Sequence, residues 1–560
     1  MGASSKLSRF IIIVLILSAA LLVPVVSHAQ APSRTQQKKP TKKPVAPQSQ
    51  QPDPNHERGL RLLKAAEAEA AGLQPDMRAY VLWRASYGYA TTDPKIAAKI
   101  SRDAFTASQD IQDPDSSSAC GGPLGSAGDI KGWIQERVLL DMIHKDNVPD
   151  VQARLPYAET AVRNRITAEL VRYYIDKKQL PRAQDLLSQL ADADDYPFTA
   201  AADLLLAFGP EESGDRMTIF NQALSNFDQH PNEQAFKSED IGTFIERTWD
   251  HVPPALALEA VDKVLEAAKS QQSSAHFSMT SEKGSVALNS TYQLRLFQLL
   301  PVLEQLDKDR ADALLRDNAE LQAQLQKYPK GMQSLNSDQT FFSYGMSDSA
   351  TPPEGAALQQ ANAQMRQRVF DTIRDAEKDP ALALSEALGL PVESPGFVPS
   401  PRAQALMQIA SQTGKKKPAL TKSALDELVK IEDQLTPEQM RDVAKFPELY
   451  LVLGDEEGAK KALKAMLKAA DKVYAQDTNS DDPNKAFKGV WPSVDMWRQC
   501  VQVAGRISPD LAEEIIANIP DPDIVALEKV AFASALLHAP GVPNLVNDCR
   551  KKQTLFTVSD

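Results

Sequence analysis

The cysteines, histidines and carboxylates are the groups in this chain that could do chemistry, and their spacing narrows the choices sharply. Cys120, Cys500 and Cys549 allow one disulfide with one thiol left over. Cys500 and Cys549 fall in neighbouring predicted helical segments and are the candidate pair. Cys120 sits in Cys120-Gly121-Gly122-Pro123 with no base supplied by its surroundings, so it reads as an unreactive thiol rather than a nucleophile. His28, His56, His144, His230, His251, His276 and His538 are scattered. No His-x-His, His-Glu-x-x-His or Cys-x-x-Cys spacing occurs, so no zinc site is expected. Asp477-x-Asn479-x-Asp481 matches the opening of a calcium loop. Asp482 then replaces the turn glycine and Lys488 the bidentate glutamate, which favours a solvated acidic turn. No phosphate-cradling loop, dinucleotide fingerprint or nucleophile elbow is present. Carboxylates are too plentiful to single out a general acid, which needs a buried site. The expectation is therefore no cofactor, no metal and no assigned catalytic residue.

If the chain does not do bond chemistry, its contacts become the question. Two interruptions could carry them: Ser270 to Ser290, with His276, Phe277 and Met279, and Lys330 to Gly355, with Phe341, Phe342 and Tyr344. Long loops in helical arrays often carry contacts. Phe341, Phe342 and Tyr344 are the candidate binding residues, the competing reading being that such aromatics pin the loop to nearby helices. Lys415-Lys416-Lys417-Pro418 reads as a solvated loop between helices.

The elements that would position these residues are helices. Leu511, Ala512, Ile515, Ile516 and Ile519 form one stripe at a 3.6-residue period, with Asp510, Glu513, Glu514 and Asn518 facing away. Ser508-Pro509 opens that helix and Pro520-Asp521-Pro522 stops it. The next run, Ile524 to Leu537, is apolar nearly all round. Further helices are predicted from Glu57 to Ala71, Met77 to Tyr87, Lys95 to Ser108 and Ile130 to His144, and in pairs from Val151 to Ala202. Trp83, Trp133, Trp249, Trp491 and Trp497 are spaced like core pegs rather than like a platform for sugar rings. Such helix pairs cannot bury their apolar faces alone and must stack on neighbours.

Two segments echo one another at an offset of 276 residues: Tyr174, Ala183 and Leu187 match Tyr450, Ala459 and Leu463, with Gly454 in the turn of the second copy. Pro-x-Leu-Ala recurs at Pro254, Pro380 and Pro509. An aromatic, then glycine, then alanine at fixed intervals resembles the tetratricopeptide family of helix–turn–helix repeats. Lys178 stands in the turn-glycine position of the first copy, Phe446 and Pro447 depart from the family pattern, and the closing proline is missing. The resemblance implies an all-α fold: a right-handed superhelical array of antiparallel helix pairs, an α-solenoid in one piece or two sub-arrays. It also implies a protein or peptide partner.

Lys6 and Arg9 precede an apolar run from Phe10 to Val26, and Ser27-His28-Ala29 fits a cleavage site. Together they read as a signal peptide, with a retained membrane anchor as the competing reading. The expected organisation is a signal peptide over 1–29, a Lys/Pro/Gln linker over 30–55, helical arrays over 56–330 and 358–547, a loop or hinge over 331–357, and a tail over 548–560. Seven of the 62 Lys and Arg lie in residues 1–50, where there is no acid, so the other 55 face 74 acids. An acidic body excludes broad nucleic-acid binding, which needs a cationic footprint. The functional expectation is an exported scaffold binding a protein or peptide in the bacterial cell envelope, periplasmic or extracellular. The alternatives are a secreted toroid-like carbohydrate-active enzyme and a membrane-tethered assembly factor.

Overall fold

Proline sets the starts of these helices, because its fixed φ suits the first turn and its missing N–H is one the helix would leave unpaired anyway. The computed structural model describes residues 53–112, 130–230, 240–270, 275–281, 284–316, 318–335, 341–346, 364–374, 376, 378–393, 400–479, 487–542 and 557–558. Pro54, Pro75, Pro94, Pro401, Pro418 and Pro492 each open a helix. So do all three prolines of the Pro-x-Leu-Ala phrase, at Pro254, Pro380 and Pro509. The recurring phrase is thus a helix start, often with a side-chain cap before it, as at Asp379 and Ser508.

In chain order the helices are α1 (Pro54–Ala70), α2 (Pro75–Tyr89), α3 (Pro94–Ser108), α4 (Ile130–His144), α5 (Val148–Arg154), α6 (Thr160–Asp176), α7 (Leu180–Ser188), α8 (Phe198–Ala207), α9 (Ser213–Gln229), α10 (Ile241–Thr248), α11 (Pro254–Ser270) and α12 (Thr291–Leu306). There follow α13 (Lys308–Arg316), α14 (Ala319–Lys327), α15 (364–374), α16 (Pro380–Leu388), α17 (Pro401–Thr413), α18 (Pro418–Ile431), α19 (Pro437–Asp442), α20 (Phe446–Val452), α21 (Glu456–Thr478), α22 (Pro492–Ile507), α23 (Pro509–Asn518) and α24 (Pro522–Leu536). The fold is an all-α array in which consecutive helices pack on one another: α2 on α3, α6 on α7, α17 on α18, and α20 through α23 in succession.

The two echoing segments fold alike. In each, the residue five past the tyrosine donates its N–H to the tyrosine carbonyl, Gln179 to Tyr174 at 2.8 Å and Asp455 to Tyr450 at 2.9 Å. Each has a left-handed residue between, Lys178 at φ 57° and Gly454 at φ 75°. This is the helix-ending turn that favours glycine. Asn147 and Met142 repeat it at 2.9 Å, with Asp146 at φ 60°. Tyr174, Tyr450, Ala183, Ala459, Leu187 and Leu463 are all buried. Because a lysine side chain is strained where glycine is not, Lys178→Gly should stabilise the protein by about 0.5–1 kcal/mol in chemical denaturation. Gly454→Ala should destabilise it by about 1 kcal/mol.

The two interruptions differ from expectation. Residues expected to be loop form strands β1 (Ala275–Ser281), β2 (Gly284–Leu288) and β3 (Phe341–Met346), joined by β4 (Thr557–Val558) in the order β2-β1-β3-β4. The first three pair antiparallel and β4 runs parallel to β3. Val286 and Leu288 alternate with exposed neighbours and, with Phe277, bury into the helical core. Short strands in Ser-rich sequence give little periodicity to read.

Residues Asp53–Asp560 form one compact unit, and the two ends of its helical array meet. Helix α24 packs on both α1 and α2. A Cβ on Gly59 would lie 2.7 Å from Leu537 Cγ, and one on Gly88 would lie 2.8 Å from Leu63 Cδ2, so these glycines permit the close approach. Arg58 pairs with Asp510 and Arg61 with Glu513, both at 2.6 Å, and Lys529 reaches Glu69. Largely solvated pairs of this kind contribute about 0–1 kcal/mol each, so the buried contacts dominate. Beneath them, Tyr80 and Trp83 on α2, Trp133 on α4 and Phe487 ahead of α22 form an aromatic cluster, with Trp83 and Trp133 ring centroids 4.7 Å apart. In a simple solenoid each repeat meets only its neighbours; here the first helices also meet the last.

Candidate binding groove

Helices α21, α22 and α23 leave a surface groove with a cavity volume of about 530 Å³. Its apolar floor comes from Leu463 and Leu467 on α21, Trp497 on α22, and Leu511, Ile515 and Ile519 on and just after α23. Both runs step by four residues, which is why they line one side of their helices. Leu463, Trp497, Ile515 and Ile519 are buried, while Leu467 and Leu511 are only partly so. Tyr474 braces Trp497 at a centroid distance of 5.2 Å, and the Trp497 indole donates to Asp471. Trp497 is thereby held as a rigid part of the floor.

The walls are charged. Lys460 and Lys464 stand on α21, opposite Glu514 and Asn518 on α23. Lys460 is engaged by Glu456 at 2.8 Å and Glu457 at 3.2 Å, and these partners hold its ammonium pKa up. Lys464 and the Glu514 carboxylate have no hydrogen bond or ion pair among the described residues. The groove offers an apolar bed with unengaged charge on either side. It contains no nucleophile–base pair, and among the described residues no group of three His, Cys, Asp or Glu could hold a metal ion.

The residues singled out in the sequence fall in several places. The stripe on α23 is apolar and inward as expected, but Leu511 faces the groove, and Glu514 and Asn518 form its wall. Leu463, identified as a repeat position, is part of the floor. Phe341, Phe342 and Tyr344 are strand residues, so the loop expected of them is corrected; their side chains fall outside the described residues. Trp83, Trp133, Trp491 and Trp497 are buried and Trp249 packs on the core, as pegs would. Cys500 is buried, with no disulfide among the described residues, and burial pushes its thiol pKa up; Cys120 and its candidate partner Cys549 lie outside the described residues, as do the signal-peptide and linker segments through Pro52. Lys415, Lys416 and Lys417 are exposed, as read.

The acidic turn is a second correction. Asp477 is buried, 3% exposed, and accepts the Ser493 backbone N–H at 3.1 Å, tying the end of α21 to the start of α22. Lys488 pairs with Asp521 at 2.8 Å and with Asp523 at 2.5 Å. Both are structural ties between successive elements. Lys460, Lys464 and Leu467 were missed, although the Lys460/Lys464/Lys468/Lys472 ladder at four-residue spacing beside Leu463 and Leu467 is visible in the sequence.

No family model and no curated protein sequence matches this chain. Among solved structures, it is similar to a circular tandem repeat protein described as having a novel repeat topology and enhanced subunit contact surfaces. The two are 12% identical, the match covers 89% of this chain and 97% of the other, and the TM-score is 0.17. The helical-repeat character stated above rests on this chain's own helix contacts and on the matching turns at Tyr174 and Tyr450. Among the described residues, no helix is long and apolar enough to cross a membrane.

Proposed function

We propose that this protein is an exported scaffold of the tetratricopeptide type that holds an amphipathic segment of another protein in the groove between α21 and α23. The groove carries the reading: a partly exposed apolar floor bounded by Lys464 and Glu514, whose charged groups are both unengaged among the described residues, is suited to a partner with an apolar stripe and polar edges. The rest of the array acts as a frame, presenting that surface on packed helices whose ends are held together. Export, and with it a partner in the cell envelope, is supported by Lys6, Arg9, the Phe10 to Val26 run and Ser27-His28-Ala29.

The test is site-specific cross-linking. A photo-reactive side chain at Leu511 should give one discrete protein adduct in cells, and Leu467→Asp should abolish it. Leu467 is only partly buried, so this substitution should cost no more than about 1–2 kcal/mol and leave a folded protein, as circular dichroism would show. No adduct from Leu511, together with cleavage of a polysaccharide by the purified protein, would overturn the reading.

A further inference from the structure

Helix α23 is held from two sides. Leu511, Glu514, Ile515 and Asn518 line the groove, while Asp510 and Glu513 fall on the flank turned away from it, as a 3.6-residue period requires. That second flank is gripped by α1, the first helix of the array. Arg58 donates to Asp510 at 2.6 Å and reaches Glu513 at 3.2 Å. Arg61 donates to both Glu513 carboxylate oxygens, at 2.6 and 2.9 Å. The centre of this four-charge network is shielded, the Arg58 and Glu513 side chains being 25% and 27% exposed. Helix α1 is itself fixed, with Leu62, Leu63, Ala66 and Ala70 buried and with α24 and α2 packed against it. Helix α23 is anchored more lightly, through buried Ala512, Ile515 and Ile516.

The openness of the groove then needs a cause. Leu467 on α21 and Leu511 on α23 are only partly buried, and drawing the two helices together would take more of both out of water. We propose that α1 is a stay that keeps the groove open, with Arg58 and Arg61 as the positioning residues that hold α23 back from α21. This rests on the groove being a protein-binding site, and it adds what regulates the width of that site. A charge network with a bidentate arginine holds geometry better than an isolated surface pair. Such a network adds little to the stability of the whole. Moving α23 by about 1–2 Å, as packed helices move in switching proteins, requires far less than unfolding it. Because partly solvated pairs weaken with salt, the width of the groove answers to ionic strength.

The experiment measures the distance between two spin labels in the purified full chain by pulsed electron resonance. The labels sit on Lys464→Cys and Asn518→Cys, exposed positions on opposite walls, in a Cys120→Ser/Cys549→Ser background; Cys500 is buried and takes no label. Arg58→Gln/Arg61→Gln should shorten the mean distance by about 2 Å. Salt at about 1 M should shorten it in the parent and add little in that variant. Arg58→Glu/Arg61→Glu combined with Asp510→Arg/Glu513→Arg rebuilds the network with its signs exchanged and should restore the parent distance. Lys529→Gln cuts the tie between α1 and α24 instead and should leave the distance unchanged, which separates positioning from general loosening. In cells, Arg58→Gln/Arg61→Gln should lower the yield of the Leu511 adduct about threefold or more. An unchanged or longer distance in the glutamine variant, or no recovery on sign exchange, would overturn the proposal. A shortened distance with no Leu511 adduct in the parent would uphold the stay and overturn the groove as a protein-binding site.

Discussion

Arg498→Met should destabilise the protein by about 3–5 kcal/mol, far more than loss of any surface ion pair. Glu528 on α24 is fully buried, and the Arg498 guanidinium on α22, with a side chain 16% exposed, meets it at 3.0 Å. The second carboxylate oxygen of Glu528 and the Arg498 Nε have no hydrogen-bond partner among the described residues. Burial pushes the Glu528 carboxyl up, and Arg498 and the α2 residue Arg84 oppose that shift. Removing Arg498 therefore leaves a carboxyl that must stay buried uncompensated or take up a proton. The loss should be largest at alkaline pH and smaller in acid, where protonated Glu528 is tolerated. Replacing both partners tests the cause. Arg498→Met with Glu528→Leu removes both charges and should recover most of the loss, because a buried pair costs desolvation that apolar side chains avoid. Urea denaturation of the two single variants and the double variant measures this. A loss below about 1 kcal/mol in Arg498→Met would show that the pair is solvated in solution.

That pair sits where the array's ends meet, and this is the feature least legible in the sequence. Ile130–His144 could be bounded to the residue because its apolar positions recur at helical period. The Tyr174 and Tyr450 turns could be matched because their geometry is local: five residues and one left-handed position determine it. The closure has no local signature. Arg58 and Asp510 are 452 residues apart, and nothing near either one marks the other. Gly59 and Gly88 look like helix-weakening residues until Leu537 and Leu63 are seen where their side chains would be. The groove was half legible for a related reason. The α23 stripe was plain, but periodicity records that a face is apolar and not how completely its neighbours cover it. Leu511 was therefore expected in the core, and it is partly open. The small sheet failed differently, since strands of five to seven residues in Ser-rich sequence carry too few alternations to outweigh the loop signal.

Glu246 should make the protein lose stability as pH rises from about 5 to about 8. It lies on α10, whose first turn is capped by Asp240 accepting the Thr243 N–H at 2.8 Å. Asp240 also pairs with Arg295 on α12, and Arg295 donates to Gln298 at 2.8 Å. The Gln298 amide then reaches Glu246 at 3.4 Å, crossing Gly242, where any Cβ would collide with it. Burial pushes the Glu246 carboxyl from 4.5 up to about 8; Gln298 and Arg295 pull it down and Asp240 pushes it further up. A carboxyl whose folded pKa is raised holds its proton more tightly in the native state. Its stabilising contribution is thus complete below its ordinary pKa and lost as pH rises through 8. At about 1.4 kcal/mol for each pH unit the full span would exceed 4 kcal/mol, and partial exposure reduces the expected loss to about 2–3 kcal/mol. Glu246→Gln keeps the shape without the ionisation. Its stability should match the parent near pH 4.5 and exceed it by about 2 kcal/mol near pH 9, read from urea midpoints at the two ends. Parallel pH dependences in parent and variant would show that Glu246 ionises freely in the folded protein.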